Sequence, residues 1–293
     1  MSVPAELSAW EAPRADSDAL ALDRPGVARI HDYLLGGKDN YAADRDLARR
    51  ILRILPRAAE AARDGRAFLG RAVRTLAERG VRQFVDLGCG LPAAENLHRI
   101  AARHTAAPRV LYVDGDPLVI AHARALLLDG GNIGALRADL REPEAIASSP
   151  EMKRLIDPAE PTALVFSSVL HFLPDPHRTV AALAASAAPG SALVISHATA
   201  DGAPAAVAEA ARLYGETCGV PLFPRGAAEI EALFGPFTPL APGVTPVAHW
   251  RFRTAPRPAA RTLLHGGRGT DGSDPGGHGS SSSGAVRPLE PCP

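Results

Sequence analysis

Gln83-Phe84-Val85-Asp86-Leu87-Gly88-Cys89-Gly90 is the stretch from which the fold follows. A short, mostly apolar run ends in two glycines separated by one residue. A run of this length, too short for a helix, reads as a buried strand. The glycines let the chain turn sharply at the strand's carboxyl end, where free amides at the next helix start favour an anionic group.

Upstream of this stretch the chain reads as helical. Val27, Ile30, Leu34 and Leu35 share one helical face that stops at Gly36-Gly37. Leu47, Ile51, Ile54 and Leu55 repeat the pattern up to Pro56, and Phe68, Leu69, Val73 and Leu76 do so up to Gly80. This spacing predicts an N-terminal helical cap over residues 24–80. Downstream, short apolar runs alternate with helical stretches. The predicted strands are Gln83–Asp86, Val110–Val113, Ile133–Arg137, Ala163–Phe166, Ala192–Ser196, Phe237–Leu240 and Val247–Phe252. Helices are predicted at Ala94–Arg103, Pro117–Leu128, near Glu144 and at Thr179–Ala187. Such alternation specifies an α/β doubly wound sheet, mostly parallel. The last two strands are joined too closely for a crossover and should form an antiparallel C-terminal hairpin. Trp250 reads as core.

The ends read differently. Residues 1–23 mix Pro, Ser and acids without period, and residues 254–293 are rich in Gly, Pro and Ser. Both are expected to be disordered, leaving 24–253 as one domain. The 293 residues carry no net formal charge, with 32 basic and 32 acidic side chains. That balance argues against a nucleic-acid or anionic-membrane partner. Cys89, Cys218 and Cys292 form no Cys-x-x-Cys pair, so neither a disulfide framework nor a metal site is expected. With no signal segment or membrane span legible, a cytoplasmic location is expected.

In open α/β sheets ligands bind at the carboxyl ends of the strands. Three acids stand there: Asp86 before Gly88-Cys89-Gly90, Asp114 after the second strand and Asp139 after the third. Asp114 is placed to accept from both hydroxyls of a ribose. Asp139 could take an adenine amino group, with Leu140 on the ring. Asp116 before Pro117 reads as a helix cap. A nicotinamide dinucleotide fold usually shows a third glycine; Ala93 stands at that position, which the pattern sometimes allows, but Pro92 lies before it, and a nicotinamide-dependent oxidoreductase stays open as a minor alternative. The set suits a nucleoside ligand.

These segments, with Val169-Leu170-His171-Phe172-Leu173-Pro174-Asp175-Pro176, resemble the motif series of class I S-adenosylmethionine-dependent methyltransferases. Val27-Ala28-Arg29-Ile30-His31-Asp32-Tyr33-Leu34-Leu35-Gly36-Gly37-Lys38-Asp39-Asn40 resembles the hallmark of one bacterial family of these enzymes, long classed as of unknown function. Arg66-Ala67-Phe68-Leu69, Gly90-Leu91-Pro92, Ile195-Ser196-His197-Ala198 and Trp250 extend the likeness. Cys89 and Gly65 depart from it, where the family carries Thr and Asn.

The resemblance implies a Rossmann-like fold, S-adenosyl-L-methionine as cofactor, and in-line methyl transfer to a small-molecule acceptor. Asp86, Gly88 and Gly90 would hold the methionine end, Asp114 the ribose, and Asp139 with Leu140 the adenine. Ser167 to His171 would border the methyl group. Tyr33, Gly36, Gly37, Lys38 and Asn40 would fold over the cleft, with His171, His197 and Tyr33 as catalytic candidates. His31 reads as structural or surface. The acceptor pocket is expected in Val27–Tyr41 and Ala198–Pro224. A regulatory protein that binds S-adenosylmethionine or S-adenosylhomocysteine without turnover stays open as the alternative, because no base, nucleophile or metal set is evident.

Overall fold

The computed structural model describes residues 22–250, apart from 129, 186 and 239, and the backbone of Ser281–Pro288. Strands β1 (Gln83–Leu87), β2 (Arg109–Asp114), β3 (Ile133–Arg137), β4 (Thr162–Ser167) and β5 (Ala192–Thr199) run parallel in the order β3-β2-β1-β4-β5. Every residue of β1 is buried, because helices cover both faces of the sheet. The strands therefore read as continuous apolar runs without alternation. Successive side chains still point to opposite faces. Phe84, Val110, Tyr112 and Val165 enter one core layer, and Val85, Leu111, Leu164 and Phe166 enter the other.

Three helices precede the sheet: α1 (Val27–Leu35), α2 (Ala42–Ile54) and α3 (Ala58–Glu78). Phe68, Leu69, Val73 and Leu76 of α3 fill the first core layer. Trp250 is fully buried against Phe68, ring centroids 5.4 Å apart in a T-shaped pair, and Arg71 Nε donates to its carbonyl. The predicted crossover helices appear as α4 (Leu97–Ala102), α5 (Pro117–Leu126), α6 (Pro143–Ser148) and, after α7 (Pro150–Leu155), α8 (Pro176–Ala184). Asp116 caps α5 as expected, accepting from the Leu118 amide at 2.8 Å with Pro117 at the first helical position.

Three helices escaped the sequence reading: α7, α9 (Pro204–Cys218) and α10 (Ala227–Ala232). Alanine satisfies apolar and helical patterns at any position, so the Ala-rich α9 hides its buried face of Val207, Ala210, Leu213 and Tyr214. That face matters, because Leu213 and Tyr214 pack with Ile30, Leu47 and Ile51 and so dock α1 and α2 onto the domain.

The antiparallel edge also differs from expectation. Phe237, Thr238 and Leu240 are not in a strand, and Val247–Trp250 forms turns, the rest of both predictions lying outside the described residues. Instead β6 is only Thr245–Pro246, and β7 (Ser281–Pro288) runs antiparallel between β5 and β6. This strand falls within the segment expected to be a disordered tail. An open sheet edge offers its backbone donors and acceptors whatever the incoming side chains are, so a Ser/Gly run can pair there without any apolar signal. The other residues of that tail, and residues 1–21, lie outside the described residues. Among the described residues no helix is long and apolar enough to cross a membrane.

Candidate functional site

The sheet order reverses between β1 and β4, and a cleft of about 1840 Å³ opens at the carboxyl ends of these strands. Asp86, Gly88, Gly90, Asp114, Asp139, Leu140, Ser167 and His171 all line it, as expected. So do Gly36, Gly37 and Lys38 from the turn after α1. Asn40, Tyr33 and His197 are not among its lining residues.

Asp86 is nearly inaccessible, and among the described residues no donor reaches its carboxyl. Burial pushes this carboxyl up to about 7, against the pull of the Arg66 guanidinium and with a further push from Asp114. A buried carboxylate without a partner is costly, so the position is poised for a cationic group. Arg66, at the same cleft, donates to the Glu95 carbonyl at 2.6 Å. It brings positive charge beside Asp86 and was visible in sequence only as part of a motif.

Asp114 is tied to the glycine loop. Its Oδ2 accepts from the Gly90 amide at 3.0 Å and its Oδ1 from the Asp116 amide at 2.9 Å. Burial raises its pKa although those amides oppose the change. Asp139 is more open, and Arg141 grips both its oxygens, with Nε at 2.9 Å from each. That hydrogen bonding lowers the Asp139 pKa. A carboxylate has about four acceptor directions, so Asp139 keeps capacity for a further donor. Burial raises the pKa of Cys89 well above the usual thiol range, which makes it a small spacer in the loop rather than a nucleophile.

The cap is pinned by charge. Asp44 is fully buried and accepts from Arg29 Nε at 3.1 and 3.0 Å and from the amides of Gly26 and Tyr41, each at 2.8 Å. Gly36 ends α1 in the left-handed conformation, and the Gly37 amide bonds back to the Asp32 carbonyl at 2.8 Å. Asn40 Nδ2 donates to Asp32 Oδ2 at 2.7 Å and to the Gly37 carbonyl at 3.0 Å. Asn40 therefore shapes the Gly36-Gly37-Lys38 turn from behind. Tyr33 packs beside the apolar cluster under α1 and α2.

The histidines divide by their partners. His197 is committed on both nitrogens. Its Nδ1 pairs with the Ala198 carbonyl at 2.6 Å, and its Nε2 accepts from Arg225 Nη1 at 3.0 Å. Burial lowers its pKa to about 4. Arg225, which sequence reading did not single out, also donates to the carbonyls of Leu170 and Leu173 and so fixes the loop carrying His171. His171 Nδ1 accepts from the Ala198 amide at 3.2 Å, which leaves the proton on Nε2. Burial, then His197, His31 and Arg225, hold it well below the usual histidine range. Among the described residues no group of three or more His, Cys, Asp or Glu is placed to hold a metal ion.

Comparison with known proteins gives this arrangement its relatives. The chain matches a family model described as S-adenosyl methyltransferase over residues 13–270. A candidate methyltransferase of known structure from Thermobifida fusca is 36% identical, covering 97% of this chain and 100% of its own, with a TM-score of 0.81. A DUF574 family protein from Streptomyces avermitilis is 32% identical, covering 92% and 99%, with a TM-score of 0.82. No curated protein matches the chain.

Proposed function

The chain belongs to this family of S-adenosyl methyltransferases, and we propose that it methylates a small molecule held beneath its N-terminal helices. The observation that carries this reading is the size and course of the cleft. Pockets for one small ligand run to roughly 300–1,000 Å³, and this cleft, at about 1840 Å³, continues from the strand ends to beneath α1 and α9. It has room for an acceptor beside the cofactor. The balanced charge of the chain supports a small acceptor over a nucleic acid.

The residues present fit the cofactor. Asp86 offers a carboxylate to the methionine ammonium, and Arg66 and Lys38 suit its carboxylate. The loop Gly88-Cys89-Gly90 allows close backbone approach, Asp114 takes the ribose hydroxyls, and Asp139 with Leu140 takes the adenine. Ser167 and His171 border the transferred group. When bound, S-adenosylmethionine supplies a methyl group on a sulfonium, with a neutral thioether as leaving group. The chain's own task is then to align the acceptor, exclude water and accept any proton released.

Calorimetry with S-adenosylmethionine tests the reading directly, and no heat at hundreds of micromolar would overturn it. Asp114→Ala should weaken binding by about 1–3 kcal/mol through lost hydrogen bonds; unchanged affinity would put the ribose elsewhere. Asp86→Asn should weaken binding about tenfold or more, as expected for a lost charge-assisted hydrogen bond. The same variant should stabilise the ligand-free protein at pH 8. The Asp86 carboxyl is raised to about 7 in the folded chain. The unfolded chain releases this proton first, and stability is lost as pH rises through about 7. Asparagine removes that loss. A lower melting temperature for the variant at pH 8 would contradict the account.

A further inference from the structure

His31 is the histidine that the cofactor reading leaves without a task. It lies within α1 and lines the cleft. Among the described residues neither ring nitrogen has a hydrogen-bond partner. The groups whose charge it shares are Arg66 of α3 and His171 of the loop after β4. Arg66 in turn acts on Asp86. The imidazole thus shares the cleft with Arg66, expected to meet the cofactor's carboxylate, and with the loop expected to border the methyl group. His171 offers a donor here, since its acceptor nitrogen is taken by the Ala198 amide. His197, behind it, is committed on both nitrogens. His31 is then the imidazole of this group with a free lone pair. Burial, with Arg66 beside it, lowers its pKa to about 4, so it stays neutral at physiological pH.

The walls around this polar end are apolar and aromatic. Leu34, Ile51, Phe172, Tyr214, Leu222 and Phe223 line the same cleft. Most of them belong to the cluster that docks the cap. A site with apolar walls and a few convergent polar groups selects a largely apolar ligand with one anchored polar atom. A cationic amine would face the Arg66 guanidinium. A neutral hydroxyl carries no charge to oppose it and offers a donor to the open His31 nitrogen.

We propose that His31 and His171 form the reacting end of an acceptor subsite, and that the acceptor is an aromatic molecule of the phenol class presenting its hydroxyl to His31. The inference rests on the methyl-transfer reading. In the reaction an oxygen lone pair forms the new O–CH3 bond, and the hydroxyl proton, made strongly acidic as that bond forms, passes to His31. The S–CH3 bond breaks with its electron pair retained by sulfur, giving a neutral thioether, and the imidazolium then returns its proton to water.

The probe is para-cresol, whose hydroxyl keeps its proton at neutral pH, titrated calorimetrically into the protein saturated with S-adenosylhomocysteine. The wild type should bind it at one site. His31→Leu should bind it about tenfold more weakly, while S-adenosylhomocysteine affinity stays within about twofold. Transfer of labelled methyl to the probe should fall about a hundredfold or more. His31→Asn, which stays polar, serves if the leucine variant does not fold, and it should lose transfer while keeping part of the probe binding. Equal probe binding and equal transfer in both variants would overturn the role of His31. No probe binding to the wild-type complex would overturn the phenol class. Failure of the methyltransferase reading is separable, because it shows as an absence of S-adenosylhomocysteine binding before any probe is added.

Discussion

Replacing Asp44 with alanine lowers the free energy of unfolding by about 3–5 kcal/mol, the cost of stranding one member of a buried ion pair. Asp44 is 0% exposed and Arg29 is 3% exposed. Arg29 also donates to the Arg24 carbonyl, and its guanidinium lies 5.5 Å from the centre of the Tyr41 ring. Alanine would take the Asp44 carboxylate away from that buried guanidinium and from the amides of Gly26 and Tyr41. Urea denaturation measures the loss. Asp46→Ala, two residues along α2 on its opposite face with a side chain 76% exposed, is the control and should change stability by less than about 0.5 kcal/mol. Exchanging both members, Arg29→Met with Asp44→Leu, should recover much of the loss, since no charge is then stranded. A loss no larger than that of the control would show that the pair does not hold the cap. Because α1 and α2 carry His31 and the Gly36-Gly37-Lys38 turn, Asp44→Ala should also weaken cofactor binding.

This buried pair marks where the sequence stops being informative. The five parallel strands were legible because a sheet covered on both faces demands unbroken apolar runs, and β3 has the predicted bounds, Ile133–Arg137. The strand-end acids and glycines were legible because each follows such a run, and the cleft does gather them. Arg29 and Asp44 are 15 residues apart on different helices, and no periodicity says that two charges will meet inside. The histidines fail for the same reason. His31, His171 and His197 look alike in sequence, but backbone partners commit His197, leave His171 a donor and leave His31 open. Arg225 acts through the carbonyls of a loop remote in sequence, which no local pattern encodes. The edge strand β7 was lost because backbone pairing carried it.

Gly88→Ala should cost about 2–5 kcal/mol and loosen the cofactor loop, whereas Gly90→Ala should cost only about 1–2 kcal/mol. Both glycines sit at positive φ, +75 for Gly88 and +65 for Gly90, so either substitution meets the left-handed penalty. Their surroundings differ. A Cβ on Gly90 finds nothing within 4 Å, but one on Gly88 would lie 2.3 Å from Val169 Cγ2 and 2.7 Å from Val169 Cβ. Val169 cannot swing clear, because its Cβ is fixed by the backbone entering the short 3-10 helix Leu170–Phe172. Relief requires moving either that loop, which carries His171, or the Gly88 turn, whose amide donates to the Val113 carbonyl at 2.8 Å. Either shift displaces groups expected to hold the cofactor, so S-adenosylmethionine affinity should fall about tenfold or more alongside stability. Val169→Ala combined with Gly88→Ala should recover part of the loss, since it deletes the methyl groups but leaves the Cβ contact and the backbone strain. Urea denaturation and calorimetry on the two single variants and the double variant read these differences. Equal costs for Gly88→Ala and Gly90→Ala would mean that backbone conformation alone, and not the approach of the β4 loop, demands glycine at position 88.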